Sequence, residues 1–346
     1  MKNVFIRIIV WCLALMPLSV SQVLAQSNET NDEAELSEDS VVNIIAYFGK
    51  NDTLTYVYDY QDMRVVGEDT VSVQTLSRNI SIVVADTTGN GYTLEMISND
   101  IKADDNIKKA FFEKKFFETI KGEKVIVKLD EYGALQGISN WKMLYDKAKS
   151  LLNDEANTMD KETFKGLKGM LDHTINSEQG MMGMFPELDL LFGSHGIQVK
   201  EGQNNFVDSV SSEIPVTYKY IAYNDYEEDG TYAGCFTMAL SETVIPKERF
   251  SGLLARGLSN VGFGKEKKIE GSIGEFFNKE LDGDVDIKGY ESREYYFVGW
   301  PRKTVTIRDS GTENIRSIIA RRISCTSYSL FIYYLYSFLY CPFRWC

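Results

Sequence analysis

The sequence predicts an α+β fold: one or two curved antiparallel β-sheets with a helical middle segment. Apolar residues alternate at period two through much of 41–101 and again through 216–307. An Asn-Gly pair, Asn90-Gly91, separates two of these runs in the manner of a tight hairpin. Between them, about 141–196, the spacing changes to three and four residues, as on the face of a helix.

The elements follow in order. Leu54, Tyr56, Tyr58 and Tyr60 fall on one face of a strand, and 71–85 and 92–101 continue the pattern on either side of the Asn90-Gly91 turn. Phe112, Phe116 and Ile120 recur every four residues among lysines and a glutamate, which predicts a helix over 106–120. A strand resumes at 125–129, turns through Asp130-Glu131-Tyr132-Gly133 and returns over 134–138. Helices are expected at 141–152 and 161–175. The stretch 180–196 is apolar and irregular, with Met181, Met182, Met184, Phe185 and Phe192 among glycines and Pro186. Two readings stand open for it: a flexible lip over a ligand cavity, or a helical hairpin end buried in the core. Strands return at 216–223 and 231–240, a helix at 247–258 behind Pro246, and a hairpin at 290–307 turning at Gly299-Trp300-Pro301. The recurrence of sheet and helix on both sides of the middle suggests either two similar halves or one continuous antiparallel sheet.

The organisation along the chain is uneven. Lys2 and Arg7, an apolar run from Ile8 to Leu15 and Val23-Leu24-Ala25 form an export signal over residues 1–25. Its apolar run is shorter than the roughly 20 residues that span a bilayer. An acidic leader follows over 26–40, then a β-rich body over 41–310 with its helical insertion at 141–196. The segment 311–346 differs in composition: 325–346 holds nine aromatics and no acid. It reads as a frame-shifted end, a membrane-associated tail or a terminal strand. Export places the protein in the periplasm or cell envelope, with membrane contact only through a genuine C-terminal segment.

Lys and Arg total 37 against 50 Asp and Glu, a net charge of −13. Such a surface disfavours nucleic acid and anionic membranes as partners. Cys235 is the one cysteine between the signal and the aromatic end, so the fold does not rest on disulfides.

Catalytic and metal motifs are weak. Asp282, Asp284 and Asp286 have the alternate spacing of a calcium loop, but Ile287 and Arg293 stand where the sharp turn and the bidentate glutamate belong. His173 and His195 fit no zinc spacing, and Ser194 lacks the glycines of a nucleophile elbow. Ser139-Asn140-Trp141-Lys142 matches Ser-x-x-Lys without the partner motifs. No catalytic, cofactor-binding or metal residue is therefore assigned, and no cofactor is expected. Five tripeptides, Asp39-Ser40-Val41, Asp52-Thr53-Leu54, Asp69-Thr70-Val71, Asp86-Thr87-Thr88 and Asp208-Ser209-Val210, resemble acceptors for O-glycosylation in Bacteroidota-type bacteria.

Three segments carry a broader resemblance: Val125 to Asp130 leading to Gly133, Gly137-Ile138-Ser139-Asn140-Trp141, and Tyr295 to Pro301. They resemble exported Gram-negative, Bacteroidota-type β-rich proteins of unknown function, over about 41–310. The resemblance implies a β-rich body with helical insertions and brings no catalytic residue. With the absence of a chemical motif, it leaves a binder of an apolar or amphipathic, lipid-like ligand as the leading expectation. Met181, Met182, Met184, Phe185 and Phe192 are the expected lining. The rivals are a structural or protein-interaction module and a hydrolase whose carboxylates the sequence does not single out.

Overall fold

The computed structural model describes residues 41–103, 108–158, 161–208, 214–260, 271 and 283–329. The export signal, the acidic leader, Asp282 and the aromatic stretch from 330 onward lie outside them. Strands β2 (Thr53–Val66), β3 (Asp69–Thr88), β4 (Gly91–Ala103), β5 (Lys124–Leu129) and β6 (Leu135–Ile138) form one meander. Strands β8 (Gly202–Asp208), β9 (Val216–Tyr226), β10 (Tyr232–Ile245), β11 (Val285–Tyr296), β12 (Pro301–Gly311) and β13 (Ile315–Ser329) form a second. The meanders join edge to edge through β2 and β13, giving one eleven-stranded antiparallel sheet in the order β6-β5-β4-β3-β2-β13-β12-β11-β10-β9-β8. A separate ribbon pairs β1 (Val41–Ile44) with β7 (Ile197–Lys200).

This architecture corrects the α+β expectation. Strands make up 55% of the structure and helices 24%, and the large sheet takes the place of a helical middle. The helices α1 (Lys108–Thr119), α2 (Trp141–Asp154), α3 (Lys161–Met170), α4 (Glu178–Met182) and α5 (Pro186–Phe192) do exist, and α3 runs into a wider turn over Leu171–Ile175. α2–α5 follow one another in sequence and, with α1, lie as a cover on one sheet face. The sheet continues beneath them because β13, the last strand among the described residues, pairs with β2 along fourteen residue pairs from Ile315↔Val66 to Ser329↔Thr53. The compositional boundary at 310/311 therefore falls inside a hairpin of the sheet, since Ser310 pairs with Ser317.

Period-two alternation supplies the covered face. Leu54, Tyr56 and Tyr58 of β2, Ile80, Ile82 and Val84 of β3 and Val125, Val127 and Leu129 of β5 are buried against Phe116, Leu144, Ala148, Leu188 and Leu191 of the helices. Each such side chain contributes roughly 1.5–3 kcal/mol by leaving water. α6 (Lys247–Asn260) starts behind Pro246, and Asp284 accepts a hydrogen bond from the Lys247 amide at 3.0 Å, satisfying one of the free donors of its first turn.

One charged residue interrupts the apolar row on β3. Arg78 is buried, and its Nη2 donates to Glu187 Oε2 of α5 at 2.6 Å. The Arg78 guanidinium also lies 3.6 Å from the ring centre of Phe117. On the far side of α5, Arg293 Nη1 of β11 donates to the carbonyls of Asp189 and Leu190, both at 2.9 Å, and Thr304 Oγ1 of β12 donates to Leu190 O at 2.9 Å. These donors satisfy the Leu190 carbonyl, one of the last four of the helix, while the Asp189 carbonyl also accepts from the Gly193 amide at 2.9 Å. α5 is thus tied to one meander by its first turn and to the other by its last.

Candidate functional site

The turn between β11 and β12 organises the region where the two covers meet. Gly299 has φ +82°, and a Cβ there would collide with the carbonyl oxygen of Ile45, so the close approach of the 45–48 segment requires glycine. Trp300 is fully buried and stacks on Phe48, ring centres 3.8 Å apart at 19°. Tyr47 N donates to Val298 O at 3.0 Å, and Tyr56 Oη donates to Pro301 O at 3.0 Å. The Gly-Trp-Pro turn is therefore a structural hub that fixes the chain leaving β1.

His195 sits on the inner side of this hub, within 5.6–5.9 Å of the rings of Phe48, Phe192 and Tyr295. Its Nε2 is 2.9 Å from Gly299 O; a carbonyl only accepts, so Nε2 carries the proton. Nδ1 is buried without a hydrogen-bond partner. Burial pushes the imidazole down to about 4, so it is neutral at physiological pH. Enclosed in this way, His195 is a packing residue.

On the outer side of Gly299 opens a cavity of about 320 Å³. Its floor is Ile44, Cys235 and Tyr295, all buried; its mouth is formed by Tyr47, Tyr226 and Phe297, exposed to 60%, 58% and 41%. Tyr232 and Tyr296 wall it, while Asn43 of β1 and Asn224 of β9 add amide groups. Asn224 Nδ2 donates to Val41 O at 3.1 Å, anchoring the ribbon to the sheet at the cavity edge.

A bulge makes this wall. The register of β10 against β9 shifts between Tyr232 and Gly234, and Gly234, with φ +152°, lies where a Cβ would strike Tyr295 O. Residues three apart in a regular strand point to opposite faces; the extra residue returns Tyr232 and Cys235 to one side. Burial raises the Cys235 thiol to about 11, against the lowering effect of a hydrogen bond with Tyr232. Burial, with Cys235 beside it, also raises the Tyr232 phenol. Both groups stay neutral at physiological pH.

The residues singled out from sequence lie elsewhere. Met181, Phe185 and Phe192 are buried in the helix-covered core, with Met182 and Met184 packed half-buried against it. Phe185 meets Phe116 and Phe117 edge to face, at 6.2 and 5.6 Å. None of the five lines the 320 Å³ cavity. His173 is exposed on the turn after α3. Asp284 caps α6, and among the described residues no group of three His, Cys, Asp or Glu side chains is placed to hold a metal ion. Of the acceptor-like tripeptides, Thr70 and Thr87 are exposed. The cavity's tyrosines were visible in the sequence only as a local excess at 218–232 and 290–296; their convergence needed the ribbon.

No protein-family model matches this chain, and no curated protein sequence matches it. Among solved structures it is similar to one describing lipid–protein interactions in lipovitellin, at TM-score 0.38 and 10% identity over 82% of this chain and 26% of that one. It is also similar to an outer membrane channel from Pseudomonas putida F1, at TM-score 0.17 and 7% identity over 85% of this chain and 100% of the channel. This chain thus spans about a quarter of the lipovitellin chain. Neither score reaches the level of a shared overall fold, and the functional reading rests on the cavity.

Proposed function

We propose that this chain is an exported periplasmic or envelope protein that binds a small amphipathic ligand in the cavity between the β1–β7 ribbon and the β9–β11 end of the sheet. The observation that carries the reading is the cavity itself: about 320 Å³, lined by six aromatic residues and two asparagines, with three of the aromatics at its mouth exposed to solvent. That size falls at the lower end of small-molecule sites, which combine apolar walls with a few polar groups. Binding is favoured over hydrolysis because the lining contains no carboxylate and no histidine to move a proton.

The test is a titration of the full-length protein with 1-N-phenylnaphthylamine, an uncharged apolar dye whose emission rises on leaving water. Saturable binding at one site, weakened about fivefold by Tyr226→Ala, is expected from the loss of one aromatic contact. An absence of saturable emission, or equal binding by the Tyr226→Ala variant, would remove the cavity as the binding site.

A further inference from the structure

The cavity lining differs from the rest of the molecule in charge. The chain is 25% charged with a net charge of −13, yet none of the thirteen residues around the cavity is Asp, Glu, Lys or Arg. An ionic ligand brought there would lose hydration without an opposite charge to replace it. A purely apolar chain fits poorly too, because it would cover the Asn43 amide without offering it a hydrogen-bond partner. A ligand satisfying both constraints is uncharged, carries flat apolar faces for the tyrosines and presents hydroxyl groups at its rim for the amides.

Resting on the binding role proposed above, we infer that the ligand is a neutral saccharide, held by stacking of pyranose rings on Tyr47, Tyr226 and Phe297 and by hydrogen bonds from Asn43. Sugar rings offer axial C–H groups on one face, which pack on an aromatic ring, and equatorial hydroxyls at the edge, which pair with side-chain amides donating and accepting together. Asn43 is exposed on β1, opposite Gln198 in the ribbon, so its amide is accessible from the cavity mouth. The mouth rings come from three separate elements: Tyr47 after β1, Tyr226 at the end of β9 and Phe297 at the β11–β12 turn. Such a frame discriminates by ring shape, and the Tyr232 and Cys235 groups add no charge near neutral pH.

The experiment is a carbohydrate microarray of neutral gluco-, manno-, galacto-, xylo- and chito-oligosaccharides with acidic uronate oligosaccharides beside them, probed with labelled full-length protein. The best ligand is then titrated calorimetrically and competed against 1-N-phenylnaphthylamine. The expected result is a neutral oligosaccharide that displaces the dye, with affinity falling about tenfold in Asn43→Ala and in Tyr226→Ala while their circular dichroism and melting stay unchanged. Dye binding with no neutral saccharide bound, or dye displaced by laurate and by no sugar, would overturn the saccharide and leave the amphipathic-ligand reading in place. Preference for the acidic oligosaccharides would overturn it as well. Absence of both dye and sugar binding would overturn both readings.

Discussion

Over the first meander, α1–α5 press Phe116, Leu144, Phe185 and Leu191 into the face of β2–β5 and leave a continuous apolar core. Over β9–β11 the cover is the two-stranded β1–β7 ribbon, whose Val42, Ile44, Ile197 and Val199 face Tyr218, Tyr220, Ala222 and Cys235 in a smaller cluster. A helix presents a wide stripe of long side chains, while a ribbon presents one side chain in two. The first seals its sheet face; the second stops short, and the 320 Å³ cavity opens beside β1 where it ends. The difference teaches that the methionine-rich segment and the open cavity need not coincide. The methionines of α4 and the link after it pack into the helix-covered core, and the cavity lies where the cover is thin.

The contrast can be broken most severely at the seam. Arg78→Met leaves the Glu187 carboxylate buried without its cation and is expected to destabilise the protein by about 3–5 kcal/mol in urea unfolding. The double variant Arg78→Met/Glu187→Leu should recover most of that loss, because it removes both buried charges. A small effect of the single variant would show that α5 is held by Arg293 and Thr304 alone.

Met181→Ala separates core from lip. Met181 of α4 is fully buried, so truncation should cost about 2–5 kcal/mol while leaving dye affinity unchanged. Weakened dye binding with little loss of stability would restore the methionine-rich segment as the ligand wall.

The hub between the two regions has a pH signature. Unfolded histidine takes up a proton below about 6.5, whereas His195 in the folded protein does so only near 4. Between these values the unfolded state holds more protons. Stability is therefore fully present above pH 6.5 and declines as the pH falls toward 4, by about 3 kcal/mol in all from this group. Comparing chemical unfolding of the native protein and His195→Gln at pH 7 and pH 4.5 isolates the contribution; the variant should lack that part of the acid loss.

At the cavity mouth the expected effect on folding is the smallest. Tyr226 is 58% exposed, and Tyr226→Ala should shift stability by less than about 0.5 kcal/mol, seen as an almost unchanged denaturation midpoint. A larger loss would mean that the tyrosine serves packing, and would weaken its role in binding.

Much of the strand content was legible because alternation is a local property. The pattern Leu54, Tyr56, Tyr58 becomes the buried face of β2, and the expected hairpin at Asn90-Gly91 forms as the β3–β4 turn, with Gly89 and Asn90 as its two loop residues and Gly91 opening β4 opposite Thr88. The helices at 141–154 and 161–170 were legible by the same reasoning. What misled was their contiguity: helical segments adjacent in sequence read as a layer of their own, although they lie on a sheet whose strands come from both ends of the chain. The residues that line the cavity were illegible for a related reason. Asn43, Tyr47, Tyr226, Tyr232 and Phe297 are ordinary residues in their own segments.

By itself, then, the sequence determined which segments are strands and helices, since side-chain period and turn chemistry act over a few residues. It also determined the charge balance and the absence of a recognisable catalytic motif, which are matters of composition and spacing. Only the tertiary structure decided that β13 pairs with β2 to make one sheet, that Arg78 meets Glu187, and that four separate segments close around a cavity free of charge. These contacts join residues far apart in sequence, as do Asp59 and Arg322, 263 positions apart, across that seam. Their partners are selected by the packing of whole faces, and no local pattern encodes that choice.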